Sequence, residues 1–176
     1  MSEHKTSGLK VYIYGATDLH APEIIKKCQE LVISQHQQEN NIEAADVAIA
    51  PLLTTILTEK EINKPKYGTL IFHPSLLPRH RGADAIKWAF KLGETYSGVT
   101  WFWADNGIDT GDICEQEVTA INQGEKPREY YERAVIPAAL RTLKRALSDI
   151  EDGRLRKVPQ ILENGTYEPK IKREGV

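Results

Sequence analysis

The sequence predicts an α/β fold, Rossmann-like, with a mainly parallel sheet and flanking helices. Three observations carry that expectation. Apolar, strand-like runs at 9–14, 46–50 and 68–72 alternate with segments of helical spacing, the pattern of strand–helix–strand units. The run at 68–72 is continuously apolar rather than alternating, as expected of a strand covered on both faces. The aromatic run at 99–104 and the alternating run at 113–120 suit a hairpin, which adds antiparallel strands to the parallel set.

Each element has a local reason. Val11, Ile13 and Tyr14 give the first run its strand character, and Gly15-Ala16-Thr17-Asp18 turns the chain. Pro22 suits the first turn of a helix whose apolar face is Ile24, Ile25, Cys28, Leu31 and Val32. The polar, Gln-rich stretch 34–41 reads as a connector. Thr58 followed three positions on by Glu61 is the capping-box pattern of a short helix. Residues 84–92 place Ile86, Ala89 and Phe90 on one helical face, and Gly93 can end that helix. The longest helical pattern, 127–150, carries a wide apolar stripe. Pro137 inside it predicts a kink or a break, and Gly153 follows its end. From Lys157 the chain is a polar tail, with a turn signal at Asn164-Gly165.

The 176 residues suit one domain, 1–176, with a core that needs no staples. A formal net charge of −2 argues against nucleic acid or an anionic membrane as the main partner. Arg79-His80-Arg81 stands out as a local basic patch. Two cysteines, Cys28 and Cys114, make neither a disulfide framework nor a metal cluster, so the expected setting is reducing and cytoplasmic, with no metal. No apolar run approaches the length of a membrane span, and the polar stretch 1–8 has no signal-peptide core. Gly15 follows the first strand, but no further glycines complete a dinucleotide-binding loop.

In open parallel sheets, sites lie beyond the carboxyl ends of the strands. His73 follows the strand at 68–72, and Pro74 and Pro78 turn the chain away through a constrained loop containing Ser75. A histidine held there can serve as acid, base or oxyanion donor, or simply cap the core edge. Asp109 can pair with that histidine or hold a water, or only accept backbone donors in a local turn. Asp105 has the same two options, with turn duty foremost. Arg79 and Arg81 can hold a carboxylate or phosphate, or face solvent.

Together these residues resemble a known family. His73-Pro74-Ser75-Leu76-Leu77-Pro78, Arg81-Gly82, Gly98-Val99-Thr100, Asp105 and Gly107-Ile108-Asp109-Thr110-Gly111 look like the motifs of the folate-dependent formyltransferases. The similarity is strongest over 46–113. It leans to the branch represented by the hydrolase domain of 10-formyltetrahydrofolate dehydrogenase, through Arg79-His80-Arg81-Gly82-Ala83 and the Trp103-Ala104-Asp105 turn. More chain precedes the strand at 46–50 in that family, so the fold is expected to be shortened at its N-terminus. The phosphate-holding glycine loop of its ribonucleotide members has no match at Gly15-Ala16-Thr17-Asp18. Residues 165–170 resemble the linker that follows the catalytic domain in longer members.

The resemblance implies a catalytic Asn–His–Asp set. His and Asp map onto His73 and Asp109, while the Asn position is Ile71, a substitution the resemblance also implies for the hydrolase branch. An amide there can donate to the oxyanion of a tetrahedral intermediate, and isoleucine cannot. The implied co-substrate is 10-formyltetrahydrofolate, a small-molecule partner. Its pterin is expected between Ile56-Leu57 and the loop Ala104, Asp105, Asn106, Gly107 and Ile108. Ser75, Arg81 and Gly82 are the expected acceptor or loop positions. The formyl group would go to water or an amine. The alternatives are a folate-binding or regulatory module without turnover, and transfer to an amino sugar nucleotide. Oligomeric state stays open, a homodimer being one option.

Overall fold

The structure is a computed structural model, which describes residues 8–172. Residues 1–7 of the polar stretch 1–8, read above as having no signal-peptide core, lie outside the described residues. Strand β1 (Lys10–Ile13) leads through the turn after it into helix α1 (Glu23–Gln35), followed by the short strand β2 (Gln37–Gln38). β3 (Val47–Ala50), α2 (Glu59–Ile62) and β4 (Thr69–His73) come next. Then follow β5 (Arg81–Gly82), α3 (Ala85–Lys91), β6 (Tyr96–Trp103) and β7 (Ile113–Ala120). α4 (Pro127–Tyr130), a π-helical turn (Tyr131–Val135) and α5 (Ile136–Glu151) form one continuous helical rod. β8 (Tyr167–Glu168) lies in the tail.

Six strands form one sheet in the order β2-β1-β3-β4-β6-β7. β2, β1, β3 and β4 run parallel, and β6 and β7 close the sheet antiparallel. The expected α/β architecture is therefore present, with the hairpin of aromatics as its antiparallel part. The capping box at Thr58 and Glu61 forms as expected.

Alternation along the strands sorts the side chains by face. Val11, Ile13, Val47, Ile49, Leu70, Phe72, Val99, Trp101 and Trp103 join the core with Ile24, Cys28 and Val32 of α1 and Val135, Ala139, Leu143 and Leu147 of the rod. Trp101 also donates its indole N–H to the Ala139 carbonyl at 3.0 Å, tying β6 to α5. The opposite face presents Ile71 and His73, register partners of Phe102 and Thr100. α1 and the rod cover the core face, while α2 packs at Thr69, and Ile71 and His73 stand at the carboxyl end of β4.

Several expectations are corrected. The stretch 34–41 is not a plain connector: α1 runs on to Gln35, and Gln37–Gln38 adds an edge strand through bonds with β1. His73 is the last residue of β4 rather than the first residue after it. Pro137 does not break the rod. It lacks an N–H, and the chain absorbs this by widening to a π turn just before it, with Ile136 N–H reaching back to the Tyr131 carbonyl. The polar tail is also paired to the domain. Val158 bridges to Ile113, and β8 pairs in parallel with β5.

Candidate active site

A cavity of about 870 Å³ opens beside Ile71 and His73 at the end of β4. Its walls come from the loop 51–57, the end of β4, residues 82–87, the loop 104–109 and the start of the helical rod. The volume falls within the usual range for small-molecule pockets, about 300–1,000 Å³. The lining is largely apolar, with Leu52, Ile56, Ile108 and Tyr167 contributing half-exposed or exposed surface.

His73 is only 7% exposed, and its ring is fixed from two directions. Nε2 lies 2.6 Å from the His80 carbonyl oxygen. A carbonyl only accepts, so Nε2 carries the hydrogen and donates it. Nδ1 then faces the Asp109 carboxylate at 3.6 Å. Ile71, two residues back on the same face of the strand, lines the same cavity.

Asp109 reaches the pair from a loop. Its φ is +56°, and its Oδ2 accepts the Gly82 N–H at 2.7 Å. This bond crosses between segments, so Asp109 does not serve a local turn. Gln160 of the tail donates to the carbonyls of Asp109 and Gly111, at 3.0 and 2.7 Å, and fixes the loop from behind. Asp105 does hold its own turn: its Oδ1 accepts from Gly107 N–H at 2.9 Å and from Thr110 Oγ1 at 2.7 Å.

The non-glycine residues with positive φ among the described residues are His80, Asp84 and Asp109. All three border this cavity or hold a group that does. Such conformations cost of order 1–3 kcal/mol each and persist where surrounding contacts over-determine them. Asp84 is held by the Ile171 N–H at 3.0 Å and Lys87 at 3.2 Å. Burial pushes its carboxyl up, but those two partners outweigh burial and leave it below its ordinary range. Burial pushes the phenol of Tyr131, on the far wall, above its ordinary value.

Of the residues singled out in the sequence, His73, Asp109, Ile71, Ile56, Leu57, Ala104, Asp105, Gly107, Ile108 and Gly82 line one cavity. Asn106, Ser75 and Arg81 are not on its wall. Asn106 is exposed, and Ser75 is fully buried, donating to the Arg79 carbonyl at 2.6 Å and so bracing the loop. Arg81 lies 6.0 Å from the Tyr167 ring centroid. The basic patch at 79–81 does not exist as one surface, because His80 is 2% exposed and Arg79 pairs with Glu94.

Sequence reasoning missed the tail residues Gln160, Thr166, Tyr167 and Glu168, together with Glu94 and the role of His80. Only their distance in sequence hid them. Among the described residues no group of three or more His, Cys, Asp or Glu side chains is placed to hold a metal. No helix is long and apolar enough to cross a membrane.

Sheet and cleft together define a small-molecule site at the carboxyl end of a parallel strand. Residues 19–146 match the formyl transferase family model, and the chain belongs to that family. It is 38% identical over 131 residues to the mitochondrial 10-formyltetrahydrofolate dehydrogenase of Mus musculus, covering 74% of this chain and 14% of that protein. The chain spans less than a fifth of the length of the curated dehydrogenases it matches. Among solved structures, a HypX variant from Aquifex aeolicus shares the fold with a TM-score of 0.80 at 24% identity, covering 94% of this chain and 31% of that one. The formyltransferase PseJ from Anoxybacillus kamchatkensis, solved with a formamido UDP-sugar and tetrahydrofolate, aligns with a TM-score of 0.69 at 23% identity. That match covers 90% of this chain and 84% of the other.

Proposed function

We propose that this chain acts on the formyl group of 10-formyltetrahydrofolate, releasing it to water or passing it to an amine. The observation that carries the reading is the His73–Asp109 pair, 3.6 Å apart on the wall of a folate-sized cavity, in a chain of the formyl transferase family. The apolar walls formed by Ile56, Leu57, Ala104 and Ile108 suit a flat pterin, and the formyl carbon would sit near His73.

In this reading the nucleophile attacks the formyl carbon, and the carbonyl electron pair moves to oxygen. Nδ1 of His73, when protonated, donates to that oxyanion. Nε2 cannot, because the His80 carbonyl holds it. Asp109 offsets the positive charge on the ring and orients it toward the formyl group. Collapse breaks the bond between the formyl carbon and N10; N10 takes the Nδ1 proton of His73, and the ring then regains a proton at Nδ1 from the added nucleophile. With water the products are formate and tetrahydrofolate.

Ile71 decides between acceptors. No donor comes from its side chain, and one missing oxyanion donor costs on the order of a hundredfold or more in rate. Hydrolysis or a slow transfer therefore fits better than fast transfer. The same residue supports a second reading, a folate-binding module with little turnover. The reading takes 1–176 as one catalytic unit in a cytosolic setting, with Cys28 and Cys114 buried and unpaired.

The test is release of formate and tetrahydrofolate from 10-formyltetrahydrofolate by the pure protein. Turnover that vanishes in His73→Ala supports the enzyme. Tight folate binding without turnover supports the binding module. Absence of both, with or without amines, sinks the two readings together.

A further inference from the structure

We propose that His80 is a positioning residue for His73, and that Glu168 of the tail holds it in place. The inference rests on the catalytic reading of His73 and extends it to residues outside the cavity wall.

His80 touches no substrate space, yet its carbonyl oxygen fixes the Nε2 edge of His73 at 2.6 Å. The direction of that carbonyl depends on the backbone at His80, which sits at φ +55°. A residue with a Cβ stays there only under restraint. Three restraints are visible. The His80 N–H donates to Thr166 Oγ1 at 3.0 Å. Its ring Nδ1 lies 2.9 Å from Glu168 Oε1. Its ring Nε2 lies 3.1 Å from Glu94 Oε1. Each ring nitrogen meets a carboxylate, and only the ring with both nitrogens protonated donates to both.

The tail is seated by backbone as well. Arg81 N–H donates to the Thr166 carbonyl at 2.9 Å, and Thr166 N–H donates to the Pro78 carbonyl at 3.1 Å. Gly82 has φ +96°, and a Cβ there would stand 2.6 Å from the Glu168 carbonyl oxygen. The same Gly82 gives its N–H to Asp109. One short strand pair, β5 with β8, therefore adjoins both the His80 anchor of His73 and the Gly82 anchor of Asp109. Oε2 of Glu168 is buried with no hydrogen-bond partner.

The experiment uses the full chain with Glu168→Ala, Glu168→Gln and His80→Gln. Two readouts are taken: steady-state cleavage of 10-formyltetrahydrofolate, and the ring nitrogen NMR signals of His73, assigned by their loss in His73→Asn. In Glu168→Ala, kcat is expected to fall on the order of a hundredfold with KM within twofold, the scale for a reacting group moved by about 1 Å. Glu168→Gln, which keeps an acceptor, recovers part of the loss. The His73 Nε2–H signal, set in the parent by its bond to the His80 carbonyl, shifts in Glu168→Ala as that bond loosens. Glu168 is a partly exposed tail side chain, so its variants remain informative if buried His80→Gln fails to fold.

A kcat within twofold of the parent and an unchanged His73 signal in Glu168→Ala overturn the proposal. A fall in kcat with an unmoved His73 signal also overturns it. If the parent itself shows no turnover, the formyl-transfer reading fails separately, and the His73 signal alone decides the positioning role.

Discussion

The two halves of the site are built differently. Ile71 and His73 stand on β4, which bonds to β3 on one side and β6 on the other. Asp109 and His80 stand on loops and Gly82 on the short strand β5, and Gln160 and Glu168 of the tail reach two of them. The strand half is placed by a sheet that would form with or without a site. The loop half is placed by a few polar bonds between segments far apart in sequence. The backbone of His73 is placed by the sheet and its ring by the His80 carbonyl, while Asp109 is placed by the Gly82 N–H and by Gln160 of the tail.

The sharpest way to break that comparison is at the reacting group. His73→Ala should lower formyl release on the order of a thousandfold while folate affinity stays within severalfold, by activity and by titration. Asp109→Asn keeps an acceptor for the Gly82 N–H but loses the charge. It should cost about a hundredfold in kcat with little change in thermal stability. Equal, complete losses in both variants would mean that the halves act as one unit.

The loop half is tested for stability at Gly165, where a Cβ would stand 2.1 Å from the Pro78 carbonyl oxygen. Gly165→Ala should lower unfolding free energy by about 2 kcal/mol in urea titrations, and activity should fall with it. Ile71→Asn restores an amide on the strand half. The ratio of amine formylation to hydrolysis should rise about tenfold, less than the full worth of an oxyanion donor because the amide enters a wall shaped for isoleucine. The smallest effect belongs to the thiols. Burial pushes Cys28 and Cys114 up to about 12, so neither is a thiolate at pH 8. Neither should react with a thiol reagent there until the protein is unfolded, as counted by mass spectrometry.

The same division explains what was legible in the sequence. Apolar runs and their period report on the sheet directly, so β1, β3, β4 and the β6–β7 hairpin were readable, and with them the place of His73. The His73–Asp109 association was readable through the motif block. The tail was not. Gln160, Thr166 and Glu168 are ordinary polar residues in a polar stretch, and nothing local distinguishes a solvated glutamate from one that grips a histidine 88 residues earlier. His80 was misplaced for the same reason: between two arginines it looks like surface charge, and its burial depends on Glu94 and Glu168. The π turn before Pro137 was also hidden, since a proline in a helical stripe reads equally as a kink, a break or a widened turn.

The link between β5 and β8 also sets a timetable. Glu168 is made 88 residues after His80, which at ribosomal speeds of roughly 5–20 residues per second leaves a gap of about 4 to 18 s. Through that interval the sheet can assemble around β4 with its histidine in place, but the clasp on His80 does not yet exist. A chain that ends before Glu168 has the strands of the sheet but lacks the β5–β8 pairing and the Glu168 contact with His80.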